Sequence, residues 1–198
     1  MDYYFGPHVN IDELKMNPPL GSDSNYRYSL EIPFKFRPTD GPIAYVIMKN
    51  PSNAGKLQDG MVKSDLTVNK VCIYFYVRRF SKVIILNLAS LYATRLSSYP
   101  HSSIFELVSP ESDICANDDE INAQLNRYRE GIDIIAVGWG SKNEVKGSKF
   151  DYDQRIIQVI NIINRYTDEI YMFPSNLSYP IHPAHRNGWN EWRDLVRI

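Results

Sequence analysis

Four short apolar runs punctuate the chain: Ile43–Met48, Lys82–Leu86, Asp133–Val137 and Glu169–Phe173. None alternates with polar residues, as expected of strands buried on both faces. Each empties into a polar stretch rich in turn formers. Between the runs, apolar residues recur at helical spacing. Asp65–Phe80 carries Leu66, Val68, Val71, Cys72, Phe75 and Tyr76, with Ser64 as N-cap and Arg78 and Arg79 in the last turn. A second helix is predicted from Asn117-Asp118 to about Arg129. A third is predicted from about Asp151 to Tyr166, where Ile156, Ile157, Val159, Ile160, Ile162 and Ile163 form the apolar face.

Strands alternating with helices predict a mainly parallel sheet with helices on both faces. Tyr26–Phe36 alternates, with Tyr28, Leu30 and Ile32 on one side, and Pro33 assigns this strand to the sheet edge. Residues 1–25 read as an irregular extension with one helical turn near Ile11–Met16, and a short helix from Gly188 or Trp189 closes the chain. The expected fold is therefore one α/β domain over residues 26–198. It is a three-layer α/β/α arrangement around a central, mainly parallel four-stranded sheet, plus an N-terminal edge strand.

Composition changes this picture little. A chain of 198 residues, 43% hydrophobic and 23% charged, suits a folded domain rather than a disordered one. A net charge of -1 gives no global pull toward nucleic acid or membrane, so any nucleic-acid contact needs a local basic face. The 14 tyrosines suit a recognition surface as well as a core. Cys72 and Cys115 lack metal-ligand spacing, and Cys72 reads as a buried thiol. No stretch resembles a signal peptide or reaches the length of a membrane span. A soluble, cytoplasmic monomer without a cofactor or a membrane partner is expected.

If the four strands are parallel, their polar loops share one sheet edge, where open α/β sheets bind ligands. The loops hold Asn50-Pro51-Ser52-Asn53, then Asn87 with Tyr92, Thr94 and Arg95, then Gly138-Trp139-Gly140, and last Pro174-Ser175-Asn176 with His182 and His185. Each residue also has a structural reading. Asn50 orients a water or ligand, or makes an Asx-turn. Asp65 is an acid or a helix cap. Trp139 is a stacking platform or a core aromatic. His182 and His185 flank Pro183 and can donate to an anion or to a base oxygen, while a zinc pair built on them lacks a third ligand. There is no glycine-rich phosphate loop, Walker pattern or nucleophile elbow, which removes the common nucleotide hydrolases and esterases.

Asn50-Pro51-Ser52-Asn53-Ala54, Asp65-Leu66-Thr67, Asn87-Leu88 with Ala93-Thr94, Asn117-Asp118, Trp139-Gly140 and His182-Pro183-Ala184-His185 occur in this order. From about Tyr26 onward the chain thereby resembles domain of unknown function 1643, a family of bacteria and phages. It departs where that family has Thr at Asn53, Asp at Gly55 and Pro at Leu66. With no acid at Gly55, Asp65 is the acidic group best placed to act.

A more distant resemblance is to the uracil-DNA glycosylase superfamily. It rests on the first strand ending in Asn50-Pro51 and on Pro174-Ser175-Asn176-Leu177-Ser178 after the last strand, followed by Trp189–Leu195. The resemblance implies that Asn50 orients the attacking water and that Ser175 holds a phosphate. Asn176 and Leu177 would wedge the duplex, and His182 or His185 would bond the departing base. Pro51, Ser52, Asn53, Thr67, Asn87, Tyr92, Arg95, Trp139 and Arg186 are the further candidates for substrate contact.

The chemistry agrees with that assignment. Glycosidic cleavage needs negative charge near an oxocarbenium-like sugar and a donor for the leaving base. A flipped base needs an aromatic pocket, for which Tyr74, Tyr92, Trp139 and Tyr179 are available. Arg95, Lys142, Lys146, Lys149 and Arg186 are the phosphate-contact candidates. Three functions remain open: a glycosylase-like enzyme acting on a base in DNA, a non-catalytic nucleotide or nucleic-acid binder, and an enzyme on a free nucleotide-like molecule.

Overall fold

The structure, a computed structural model, describes residues 3–93, 113–141, 152–173, 177, 179–185, 189 and 194–198. Its strands are β1 (Tyr3–Tyr4), β2 (Lys15–Asn17), β3 (Ser29–Pro33), β4 (Ile43–Met48), β5 (Leu57–Gln58), β6 (Met61–Ser64), β7 (Lys82–Asn87), β8 (Ile134–Val137), β9 (Ile170–Met172) and β10 (Val196–Arg197). Its helices are α1 (Leu66–Val77), α2 (Asp113–Leu125) and α3 (Tyr152–Ile163). The protein is a mixed α/β fold. No helix among the described residues is long and apolar enough to cross a membrane.

Among the described residues the main sheet has seven strands in the order β10-β9-β8-β4-β7-β3-β2. The four apolar runs form its parallel centre, β9-β8-β4-β7. Antiparallel strands extend this centre on both sides. Three expectations are corrected here. The strand containing Pro33 is not the edge, because β2 pairs with Ser29–Glu31. Pro33 is tolerated because it lies past the last residue that β2 reaches, where the missing N–H removes no ladder bond to that neighbour. The supposedly irregular N-terminal segment supplies both β2 and β1, which pairs with β6, and its helical turn is a 3-10 turn at Ile11–Glu13. At the other end Val196 and Arg197 pair with Met172 and Tyr171 as β10, covering the open backbone of β9. Trp189, Asp194 and Leu195 are not helical, and residues 190–193 of the expected terminal helix lie outside the described residues.

Burial on both faces explains the unbroken apolar runs. Ile43, Tyr45, Ile47, Ile84, Leu86, Ile135 and Val137 face Ile121 and Leu125 of α2 and Val159, Ile162 and Ile163 of α3. The alternate residues Ala44, Val46, Met48, Val83 and Ile85 pack with Val68, Val71, Cys72 and Phe75 of α1. On this second face Trp189 stacks on Phe173, with centroids 6.0 Å apart and planes 12° apart, which ties the chain's end to the α1 layer.

The helix α1 starts one residue later than expected. Asp65, not Ser64, is its N-cap, and Asp65 Oδ1 accepts from the Val68 amide at 2.8 Å. Ser64 still belongs to β6, where its hydroxyl donates to Asn69 Oδ1 at 2.7 Å. Likewise α1 ends at Val77, leaving Arg78 as its C-cap.

The parallel strands end in step. Met48 lies opposite Asn87, Ile47 opposite Val137, and Val137 opposite Met172. The alignment continues one residue further, as Leu88 N–H donates to Met48 O at 2.8 Å and Gly138 N–H to Ile47 O at 2.9 Å. All four polar loops therefore leave the sheet from one edge.

Candidate functional site

At that edge lies a cavity of about 230 Å³ lined by Asn50, Ser52, Asp65, Thr67, Asn87 and His182, together with Arg27, Lys49 and apolar neighbours. Six of the residues singled out in the sequence thus meet around one space. The β4 loop supplies Asn50 and Ser52, the first turn of α1 supplies Asp65 and Thr67, β7 supplies Asn87, and the His-Pro segment supplies His182.

Asn50 is held by its own loop. Its side-chain amide donates to Pro51 O at 2.9 Å and to Ala93 O at 2.6 Å. Both amide hydrogens are committed, so what Asn50 has left for a ligand is Oδ1, an acceptor. Pro51 accepts a second bond, from the Ala93 N–H at 3.0 Å, and Asn53 O closes a turn onto Lys56 N–H at 3.2 Å. Pro51 and Asn53 shape the loop but do not line the cavity.

Asp65 stands where the β6 strand breaks into α1. Its cap engages Oδ1, which leaves Oδ2 outside that bond. His182 Nδ1 accepts from the Ala184 N–H at 3.2 Å. A neutral ring held this way carries its proton on Nε2, which makes Nε2 a donor. Gly140 permits the approach of this segment. Its φ is +73°, and a Cβ placed there would lie 3.1 Å from His182 Cβ. Gly138 does the same from β8, packing against Trp189, Pro183 and Met48.

Asn87 is fully buried and braced from two helices. Asn117 of α2 donates its amide to Asn87 O at 3.1 Å. Arg155 of α3 donates Nε to Leu88 O at 2.7 Å and Nη2 to Asp118 Oδ1 at 2.6 Å. Asn117-Asp118 therefore fixes the end of β7 from behind. Asn87 Oδ1 is buried without a hydrogen-bond partner in the protein.

An adjoining cavity of about 310 Å³ holds Leu177, Tyr179 and His185, and shares Lys49, His182 and Ala184 with the first. Lys49 donates to Ser141 O at 2.8 Å, which fixes the wall between the two spaces. Tyr92 lies elsewhere, in a cavity of about 320 Å³ with Met16, Ser24, Lys56 and Leu57, and its ring takes Arg27 at 5.8 Å and Lys56 at 4.6 Å. Trp139 is buried in the core on the α3 side, where its carbonyl accepts from Tyr152 Oη at 3.1 Å. Tyr74 packs edge-on against Phe75, Phe173 and Trp189. Arg95, Ser175, Asn176 and Arg186 lie outside the described residues, as do Lys142, Lys146 and Lys149. Among the described residues no three His, Cys, Asp or Glu side chains cluster as metal ligands.

Arg27 is the residue that sequence reasoning missed. It is 1% exposed, and its Nη1 donates to Ala54 O. Its Nε has no partner, and burial pulls its pKa below the ordinary guanidinium value against the pull of Tyr92 and Asp65. The signal was the polar row Arg27, Ser29, Glu31 facing away from Tyr28, Leu30 and Ile32. A strand placed at the sheet edge turns such a row to solvent, whereas here all three residues are buried.

A mixed sheet whose parallel strands end together at a polar cleft defines an α/β protein with a candidate site at its strand ends. The chain matches the family described as protein of unknown function (DUF1643) over residues 27–184 and belongs to it. No curated protein and no solved structure matches the chain.

Proposed function

We propose that the cleft is a hydrolytic site of the uracil-DNA glycosylase type, cleaving the N-glycosidic bond of a base, modified bases included, in DNA. The observation that carries this reading is the pinned amide of Asn50, a residue that lines one cavity with Asp65 and His182 and has Oδ1 left as its acceptor. An acceptor fixed in that way orients a water without reorganising during the reaction. The Asp65 carboxylate stabilises the positive charge that develops on the sugar and takes the proton of the attacking water. Water oxygen bonds to the anomeric carbon, the carbon–nitrogen bond breaks, and its electron pair leaves with the base. His182 Nε2–H donates to the base as it departs. Helices on both faces of the sheet, α1 on one and α2 with α3 on the other, fit the three-layer plan of that superfamily.

One observation favours a second reading, an enzyme on a free nucleotide-like molecule. The inner cavity, about 230 Å³, falls below the usual ligand-pocket range of about 300–1,000 Å³ and suits one ring or one small group. The test incubates the protein with single- and double-stranded oligonucleotides carrying normal and modified bases, and in parallel with free nucleotides. Released base is read by chromatography and abasic sites by alkaline cleavage. Release from DNA that disappears in Asn50→Ala, Asp65→Ala and His182→Ala is the expected result. Release only from free nucleotides moves the substrate to the second reading. Salt-sensitive binding without release makes the protein a binding module.

A further inference from the structure

We propose that Arg27, Lys49 and the first turn of α1 form an oxyanion subsite within the cleft, and that it takes a phosphate group of the ligand. This inference rests on the cleft being the ligand site, not on any bond being cleaved there.

The argument starts from Arg27. A guanidinium is always charged and has five donors. Here it is buried, donates Nη1 to one backbone carbonyl, meets the neutral Tyr92 phenol, and makes no ion pair among the described residues. A buried charge is costly unless an opposite charge or a full set of hydrogen bonds meets it. The described acid that acts on it is Asp65, which makes no ion pair among the described residues and is engaged at Oδ1 by the helix cap. Tyr92 and one carbonyl leave Nε without a partner and bring no full negative charge into contact, and an anion entering the cavity supplies both.

Three further features point the same way. Lys49 is only 5% exposed and lines the same cavity. Thr67 and Val68, also in the lining, belong to the first turn of a twelve-residue helix. The first intrahelical bond there runs from Asn69 N–H to Asp65 O, so the amides of Leu66 and Thr67 have no partner within the helix. Free amides and the positive end of the helix dipole attract oxyanions. Among the described lining residues, two cations oppose one carboxylate. An Arg fork beside a Lys and helix amides is phosphate-binding chemistry.

A phosphate can reach this subsite from a free nucleotide or from a nucleic-acid backbone. The experiment titrates the intact protein, at fixed ionic strength, with a pyrimidine nucleoside, its 5′-monophosphate, inorganic phosphate and a short single-stranded oligonucleotide. The monophosphate is expected to bind roughly tenfold or more tighter than the nucleoside, with inorganic phosphate competing against it. Arg27→Gln should abolish that preference. Should Arg27→Gln fail to fold, Lys49→Met, which keeps the buried stem and removes the charge, should cut the preference several-fold. Competition by the oligonucleotide assigns the phosphate to a nucleic-acid backbone, and its absence assigns the phosphate to a free nucleotide. Equal binding of nucleoside and monophosphate by wild type, or no competition by phosphate, overturns the proposal. Phosphate-dependent binding without base release would refute the hydrolytic reading and leave the subsite intact. Base release with phosphate-indifferent binding would do the reverse.

Discussion

Replacing Asp65 tests two interactions at once, and three substitutions separate them. The carboxylate caps α1 through Val68 N–H at 2.8 Å, and it is a counter-charge for the buried Arg27. Losing an N-cap acceptor costs about 1 kcal/mol. The Asp65–Arg27 attraction adds less than the roughly 4 kcal/mol of two charges at ~4 Å and an effective dielectric near 20, because the two side chains are not in ion-pair contact. Asp65→Ala loses both interactions. Asp65→Ser and Asp65→Asn keep a capping oxygen and lose only the charge. Alanine should therefore melt below serine by about 1 kcal/mol, a gap of about 2–4 °C for a domain of this size. Thermal denaturation followed by circular dichroism reads that gap, and a base-release assay on the same three proteins reads the chemistry. All three should lose turnover, since none retains a carboxylate. If serine and alanine melt together, the cap contributes nothing to stability. If serine keeps full turnover, Asp65 is a helix cap and no more.

The remaining predictions concern the frame of the site. Glu31 lies between Lys82 at 2.7 Å and Arg127 at 2.8 Å; burial raises its pKa, but the two cations outweigh burial and hold it below the usual carboxylate value. Its folded pKa is thus depressed, so its contribution is complete above about pH 4.5 and is lost as pH falls through the lower folded value. Urea unfolding from pH 7 to pH 3 should show that loss in wild type and a flatter profile in Glu31→Gln. Gly140→Ala forces a side chain into positive φ and against His182, and should cost about 1–2 kcal/mol while lowering base release more than alanine substitutions at exposed positions do. Arg155→Met leaves Leu88 O without its donor and Asp118 without its cation, and should destabilise by about 1–3 kcal/mol in denaturant titration. Cys72 is buried and its thiol pushed upward by burial, so in a Cys115→Ser background a thiol reagent at pH 8 should label the protein only after unfolding.

The parallel centre of the sheet was legible because strands buried on both faces write themselves as unbroken apolar runs. The convergence of Asn50, Asn87 and His182 followed from that centre, since parallel strands open at one edge. The outer strands were not legible. Lys15–Asn17 and Val196–Arg197 are two or three residues long, and backbone bonds to β3 and β9 form them rather than any side-chain pattern. Pro33, read without knowledge of β2, placed β3 at the edge, and that error concealed Arg27. Ser64 looked like the cap because serine favours that position, but the strand pairing with Tyr3 runs through it. Asn117 and Asp118 stood out as a motif without a visible task, because their partners Asn87 and Arg155 are distant in sequence.

The bracing of β7 makes the cleft and the rest of the molecule one mechanical unit. Asn117 and Arg155 grip consecutive carbonyls at the strand end from separate helices. A change in the packing of either helix thus reaches the position of Asn87 without touching the cleft. Variation among relatives should accordingly fall into two kinds. Substitutions at lining positions can retune what the cleft accepts one residue at a time. Those at the bracing positions should travel in pairs, because a brace altered alone shifts Asn87 at the floor of the cleft.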